Sequence, residues 1–114
     1  MTEGWFCKKE RLPDADDADE NGRVLVWHRY QHGILYAWDG VCRNRFITHW
    51  MPLCSFESAW IDARKRKPTI QDADALRCVL ARHSVDGIVV IGYFQIHDQS
   101  PYTHFARLPN APTQ

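Results

Sequence analysis

Four histidines recur in pairs, and they are the side chains of this chain best suited to acid–base or metal chemistry. His28 pairs with His83 and His49 with His104, each pair being separated by 55 residues. Histidine changes charge near neutral pH and often binds metals, so with two aspartates these residues could form such a site. The sequence has neither an H-x-H nor an H-E-x-x-H spacing. We therefore expect no metal and no cofactor, and a hydrolase using His49 and His104 is the least favoured function.

Both Thr-His pairs also have a structural interpretation. Thr48-His49 and Thr103-His104 each precede an aromatic residue at a predicted strand end. In such a position the imidazole can hydrogen-bond a turn backbone while its ring packs on the neighbouring aromatic side chain. This structural role is favoured over catalysis, and both histidines remain candidates for binding.

The cysteines and glycines give no sign of catalysis. The four cysteines are far apart and form no C-x-x-C pair, so we expect separate thiols. No P-loop, dinucleotide-binding glycine pattern or nucleophile elbow occurs. We expect a protein that is not an enzyme.

These residues belong to an internal repeat. Shifting the 114-residue chain by 55 positions gives twelve identities in the 49 pairs from Trp5/Trp60 to Leu53/Leu108, where composition predicts roughly three. A unit of this size buries too small a share of its surface to be comfortably stable alone. We therefore predict two repeats, residues 1–54 and 55–114, packed as one globule with pseudo-twofold symmetry.

Each repeat has the composition of short antiparallel strands. Segments 23–30, 33–38 and 45–50 are rich in β-branched and aromatic residues, and segments 78–83, 88–96 and 102–105 follow the same order in the second repeat. The pattern predicts a mainly β protein made of two β-meanders. The alternative is an α+β fold, because residues 69–83 also show helical spacing, and one short helix is expected near 70–77.

Composition and charge narrow the partners. Fourteen basic and fourteen acidic residues cancel, so sequence-specific nucleic-acid binding is not expected. No apolar run is long enough to span a bilayer, and the first residues lack the hydrophobic stretch of a signal peptide. These features predict a cytoplasmic protein that does not bind membranes. Self-association into a homo-oligomer is compatible with them.

One motif set resembles a known family. Trp5, the segment 9–13, the segment 24–27 and the T-H-W-M-P-L motif of residues 48–53 are similar to the small phage and prophage family catalogued as domain of unknown function 551. The second repeat is a degenerate version, with T-H-F-A-R-L at 103–108. The resemblance implies a bacteriophage or prophage origin, expression in the bacterial host cytoplasm and no established reaction.

Two functions therefore remain open. The first is inhibition of a host anti-phage defence protein, such as a nuclease or signalling protein, by direct binding through aromatic and charged anchors. The second is a sponge for a nucleotide-like signalling molecule, held by basic side chains and a stacking ring. The candidate binding residues are Trp38, His49, Trp50, Trp60, Arg64, Lys65, Arg66, Lys67, His104 and the acidic residues Asp16, Asp17 and Asp19.

Overall fold

The computed structural model describes residues 4–56 and 59–112. The chain divides into two compact units, which are Met1–Ser55 with Ala111–Gln114, and Phe56–Asn110. We call these unit 1 and unit 2. No helix within the described ranges has the length and apolar character that a membrane span requires. The predicted pseudo-twofold packing of the repeats stays a prediction.

Unit 1 contains one antiparallel sheet. Its strands are β1 (Phe6–Cys7), β2 (Arg23–His28), β3 (His32–Ala37) and β4 (Ile47–Met51), in the order β1-β4-β2-β3. Short 3-10 helices lie at Ala15–Asp17, Trp38–Arg43 and Leu53–Phe56. The predicted repeat boundary between residues 54 and 55 thus lies inside the last of these helices, and residues 57 and 58 lie outside the described residues.

Unit 2 repeats this arrangement at a constant offset. Its strands are β5 (Ile61–Asp62), β6 (Cys78–His83), β7 (Gly87–Gly92) and β8 (Tyr102–Ala106), in the order β5-β8-β6-β7. Each strand begins and ends 55 residues after its counterpart, and 3-10 helices lie at Ile70–Asp72 and Tyr93–Gln95. The predicted fold class, mainly β with two antiparallel units, is confirmed.

The strand order differs from the sequential order of a meander. β4 lies between β1 and β2, so that Phe6 faces Trp50 across one side of β4 and Val26 faces Trp50 across the other. In unit 2, Phe105 takes the same position between Ile61 and Ala81. Strand composition specifies that a segment pairs, whereas the choice of partner depends on long-range packing.

In each unit, one cluster of core residues includes side chains from one face of the central strands. Val24, Val26, Val41, Ile47 and Trp50 form it in unit 1, and Ala63, Val79, Ala81, Ile96 and Phe105 form it in unit 2. Alternate residues of a strand point to the same face, which explains why Val24 and Val26 contribute together.

Two predicted elements are shorter than expected. The helix expected near 70–77 is only the 3-10 turn Ile70–Asp72, which Thr69 and Asp72 close as a capping box. The predicted strand 88–96 ends at Gly92 and continues as the 3-10 helix Tyr93–Gln95. The helical spacing of residues 69–83 forms no helix beyond Asp72, because Cys78–His83 is a strand that pairs with β7 and β8.

Candidate functional site

The four recurring histidines have two different environments. The Nδ1 atom of His28 accepts hydrogen bonds from the backbone N–H groups of Tyr30 and Gln31, at 3.2 and 3.1 Å. His83 does the same for Val85 and Asp86, both at 3.0 Å. These two histidines close the β2–β3 and β6–β7 turns, so the turn-bonding role belongs to them and not to the Thr-His pairs.

The Thr-His pair of unit 1 lies next to a cavity. His49 is 4% exposed, its Nδ1 lies 2.9 Å from the Thr48 hydroxyl oxygen, and its buried Nε2 has no hydrogen-bond partner among the described residues. Burial lowers the pKa of His49 below its usual value, and nearby Glu10 offsets part of this effect. A neutral imidazole at pH 7 follows. The cavity, of about 310 Å³, is also lined by Trp27 and Arg29.

The Thr-His pair of unit 2 lines a larger cavity, which we call the polar pocket. The Nδ1 of His104 lies 3.0 Å from the Thr103 hydroxyl oxygen, as in unit 1. The polar pocket has a volume of about 570 Å³ and is lined by residues from the segments 62–67 and 97–104. Lining a cavity is therefore a property that the Thr-His pair has in both units.

One position that lines the polar pocket carries a long basic side chain in unit 1 and a short apolar one in unit 2. In unit 1, the Lys8 ammonium donates hydrogen bonds to the carbonyls of Asn44 and Val41, at 2.7 and 3.3 Å. The equivalent residue in unit 2 is Ala63, which lines the polar pocket. An alanine side chain cannot make the equivalent hydrogen bonds, so this position of the pocket lining carries no cation in unit 2.

Charged side chains from both segments surround the polar pocket. The Lys67 ammonium lies 3.0 Å from an Asp98 carboxylate oxygen and also donates to the Ala63 carbonyl. Arg64 binds Asp62 through its side chain and its backbone N–H, and these hydrogen bonds lower the pKa of Asp62. The pocket thus combines two basic side chains with two carboxylates, and one of these, Asp62, has a lowered pKa.

The rest of the predicted basic patch is outside the polar pocket. The Arg66 guanidinium binds both carboxylate oxygens of Asp72, at 2.9 and 3.1 Å, and lies over the Phe105 ring. Lys65 is exposed. Of the four predicted basic residues, Arg64 and Lys67 share the pocket with His104, whereas Arg66 supports the fold of unit 2.

The predicted acidic surface is partly structural. Asp17 closes a capping box with Asp14 and forms an ion pair with Arg11. Asp19 accepts hydrogen bonds from the backbone N–H groups of Asn21 and of Arg23, the first residue of β2. Asp16 is exposed, and of the three predicted acidic residues it is the best placed to meet a partner.

The three predicted tryptophan anchors differ in how deeply they are buried. Trp50 is fully buried, and its indole N–H donates to the Arg11 carbonyl at 2.8 Å. The expectation that Trp50 contacts a partner is corrected by this burial, since the ring has no exposed surface. Trp38 is half-buried against the core of unit 1. Trp60 is half-buried, with the Arg82 guanidinium 5.5 Å from its ring centre.

Sequence reasoning missed three exposed apolar residues of unit 2. Ile70, Leu76 and Phe94 are 55%, 50% and 67% exposed. Their counterparts in unit 1 are Ala15, Asn21 and Asp39. The repeat alignment contained this signal, because small or polar residues of the first copy are aligned with apolar residues of the second. We call these three residues the apolar end.

The apolar end lies at one end of the unit 2 sheet. Leu76 precedes Arg77, whose carbonyl accepts the backbone N–H of Tyr93, and Phe94 follows Tyr93. Ile70 begins the 3-10 helix just before this loop. The Phe94 ring lies over Gly92, where a Cβ atom would be only 2.6 Å from it.

Within the described part of the chain, no group of three or more His, Cys, Asp or Glu side chains could hold a metal ion. The class that the structure defines is a pair of four-stranded antiparallel units with a polar pocket in the second. Comparison of the chain with protein-family models, curated proteins and solved structures finds no match. The resemblance to the phage family stays a prediction.

Proposed function

We propose that the protein is a non-catalytic, phage-encoded binding protein that inhibits a defence protein of its bacterial host by direct contact in the cytoplasm. The observation that carries the proposal is the apolar end, Ile70, Leu76 and Phe94. The phage origin comes from the resemblance of residues 5–53 described above.

The matched positions of unit 1 make these side chains informative. Single exposed apolar residues are ordinary on protein surfaces. Here Leu76 and Phe94 adjoin one backbone junction and Ile70 begins the 3-10 helix that precedes it. The same backbone positions in unit 1 carry Ala15, Asn21 and Asp39. The fold therefore does not require apolar side chains at these positions, which leaves contact with a partner as their use.

The chemistry of the apolar end suits a protein partner. Large apolar and aromatic side chains that become buried in an interface supply most of its binding energy. The Arg77 side chain follows Leu76 and is exposed, so it adds a cation to this loop. The partner surface should accordingly combine an apolar pocket with an acidic rim.

The test replaces the apolar end by the residues of unit 1. The variant Ile70→Ala, Leu76→Asn, Phe94→Asp keeps side chains that this backbone already accommodates. Its matched control is Val85→Tyr, since Val85 is 84% exposed, has Tyr30 as its counterpart and lies in the turn at the other end of β6. Both variants and the wild type are immobilised and exposed to bacterial host lysate, and the dissociation constant of the purified partner is measured.

We expect one stoichiometric host protein to bind the wild type and Val85→Tyr. Its affinity for the triple variant should fall about 30-fold or more, because loss of anchor residues costs at least ~2 kcal/mol. Equal affinity for all three chains would remove the apolar end from the interface. Retention of no stoichiometric protein at micromolar concentration would contradict the proposed function.

A further inference from the structure

We infer that the polar pocket binds the phosphate group of a small phosphate monoester of mononucleotide size, and that Lys67 exchanges its ion pair with Asp98 for this phosphate. The inference goes beyond the protein-binding proposal, because it concerns residues 62–67 and 97–104 and not the apolar end.

The volume of the polar pocket fits such a ligand. Its volume of about 570 Å³ lies inside the range of roughly 300–1,000 Å³ that small-molecule pockets occupy. In unit 1 the position of Ala63 is occupied by Lys8, whose ammonium donates to the Asn44 carbonyl. Ala63 lines the polar pocket and has no such long side chain, so the lining at this position differs between the two copies.

The Lys67 ammonium is held at the pocket, and its ion pair with Asp98 is exposed to solvent. Lys67 donates to the Ala63 carbonyl, which fixes its ammonium at the pocket, and its partner Asp98 has a side chain that is 90% exposed. An ion pair with so exposed a carboxylate contributes little to stability. A phosphate carries more charge than Asp98 and accepts more hydrogen bonds, so it can displace that carboxylate.

Other lining groups complement the remainder of the ligand. The hydroxyl of Thr103 and the imidazole of His104 lie on the same wall. Asp62 is held ionised by Arg64 and accepts hydrogen bonds, which suits the neighbouring hydroxyl groups of a sugar. A phosphate monoester that carries such hydroxyls uses both the cations and the carboxylate.

The experiment is a titration of the full ¹⁵N-labelled chain with adenosine 5′-monophosphate, followed by amide chemical shifts. Parallel titrations use inorganic phosphate and adenosine. We expect the monophosphate to shift the amides of Ser100, Thr103 and His104, and adenosine to bind at least about tenfold more weakly, as expected when charge-assisted hydrogen bonds are lost.

Two variants of one ion pair separate binding from structure. Lys67→Met should weaken binding of the monophosphate about tenfold or more. Asp98→Asn should strengthen it by about two- to fivefold, because it removes a competing carboxylate. Asp39→Asn makes the same charge change in unit 1 and should leave the affinity unchanged. A dispersed amide spectrum verifies the fold of each variant, and Lys67→Gln replaces Lys67→Met if the latter does not fold.

Three results would overturn the inference. The first is the absence of shifts in the 97–104 segment at millimolar monophosphate. The second is weaker binding by Asp98→Asn as well as by Lys67→Met, which would make the ion pair a structural element. The third is equal affinity for adenosine. Inorganic phosphate binding as tightly as the monophosphate would support the phosphate contact and overturn the assignment of ligand size.

Discussion

The replacement Trp50→Phe tests whether Trp50 is a core residue or a surface anchor. The side chain is fully buried, and its N–H donates to the Arg11 carbonyl. The indole exceeds a phenyl ring by roughly 40 Å³, so a cavity that does not collapse costs about 1 kcal/mol. Loss of the hydrogen bond adds about 1 kcal/mol. We therefore expect the free energy of unfolding to fall by about 2 kcal/mol.

The assay is urea denaturation followed by far-ultraviolet circular dichroism. Trp38→Phe is the matched control, since Trp38 is only half-buried and its replacement leaves no closed cavity. We expect a loss of about 1 kcal/mol or less for this control. Unchanged stability of Trp50→Phe together with weaker binding of the host partner would refute the reasoning, because it would show that the ring faces a partner.

Three further predictions concern charges and the polar pocket. Arg66 and the capping box hold the pKa of Asp72 below its usual value, so Asp72→Asn should lower stability at pH 7. In acid-denaturation curves its difference from the wild type should begin to shrink below a pH of about 4 and should vanish only below the lowered pKa of the folded state. Burial lowers the pKa of His49, so near pH 6 the unfolded chain binds a proton more readily than the folded chain. The free energy of unfolding of the wild type should therefore fall from pH 7 to pH 5 more steeply than that of His49→Gln. Denaturation curves at each pH measure this difference. Ala63→Lys introduces the residue that occupies this position in unit 1, Lys8; it should close the polar pocket and abolish the monophosphate-induced amide shifts, while persistence of those shifts would place the ligand elsewhere.

Much of the fold could be predicted from local sequence. Segments rich in Val, Ile and aromatic residues formed the expected strands, because such side chains suit a pleated and half-buried surface. The repeat predicted the equivalence of β6 with β2, against the helical spacing of residues 69–83. The position of β4 between β1 and β2 could not be predicted, since it depends on how Trp50 and Val26 pack across the sheet.

The site was predictable only in part. Arg64, Lys67 and His104 were candidates and share the polar pocket. Their neighbours in the segment 97–100 could not be found, because a salt bridge between Lys67 and Asp98 joins parts of the chain 31 positions apart. Arg66 carried the same sequence signal as its neighbours, yet its guanidinium serves the fold through Asp72. Residue type alone does not distinguish these roles.

The comparison of matched positions depends on one claim, that both units share a single strand pairing with an offset of 55 residues. Backbone nuclear Overhauser effects in the labelled chain measure this pairing directly. We predict cross-strand signals between Val26 and Trp50 in unit 1, and between Ala81 and Phe105 in unit 2. Signals that join β1 directly to β2, or a different pairing in the two units, would contradict it.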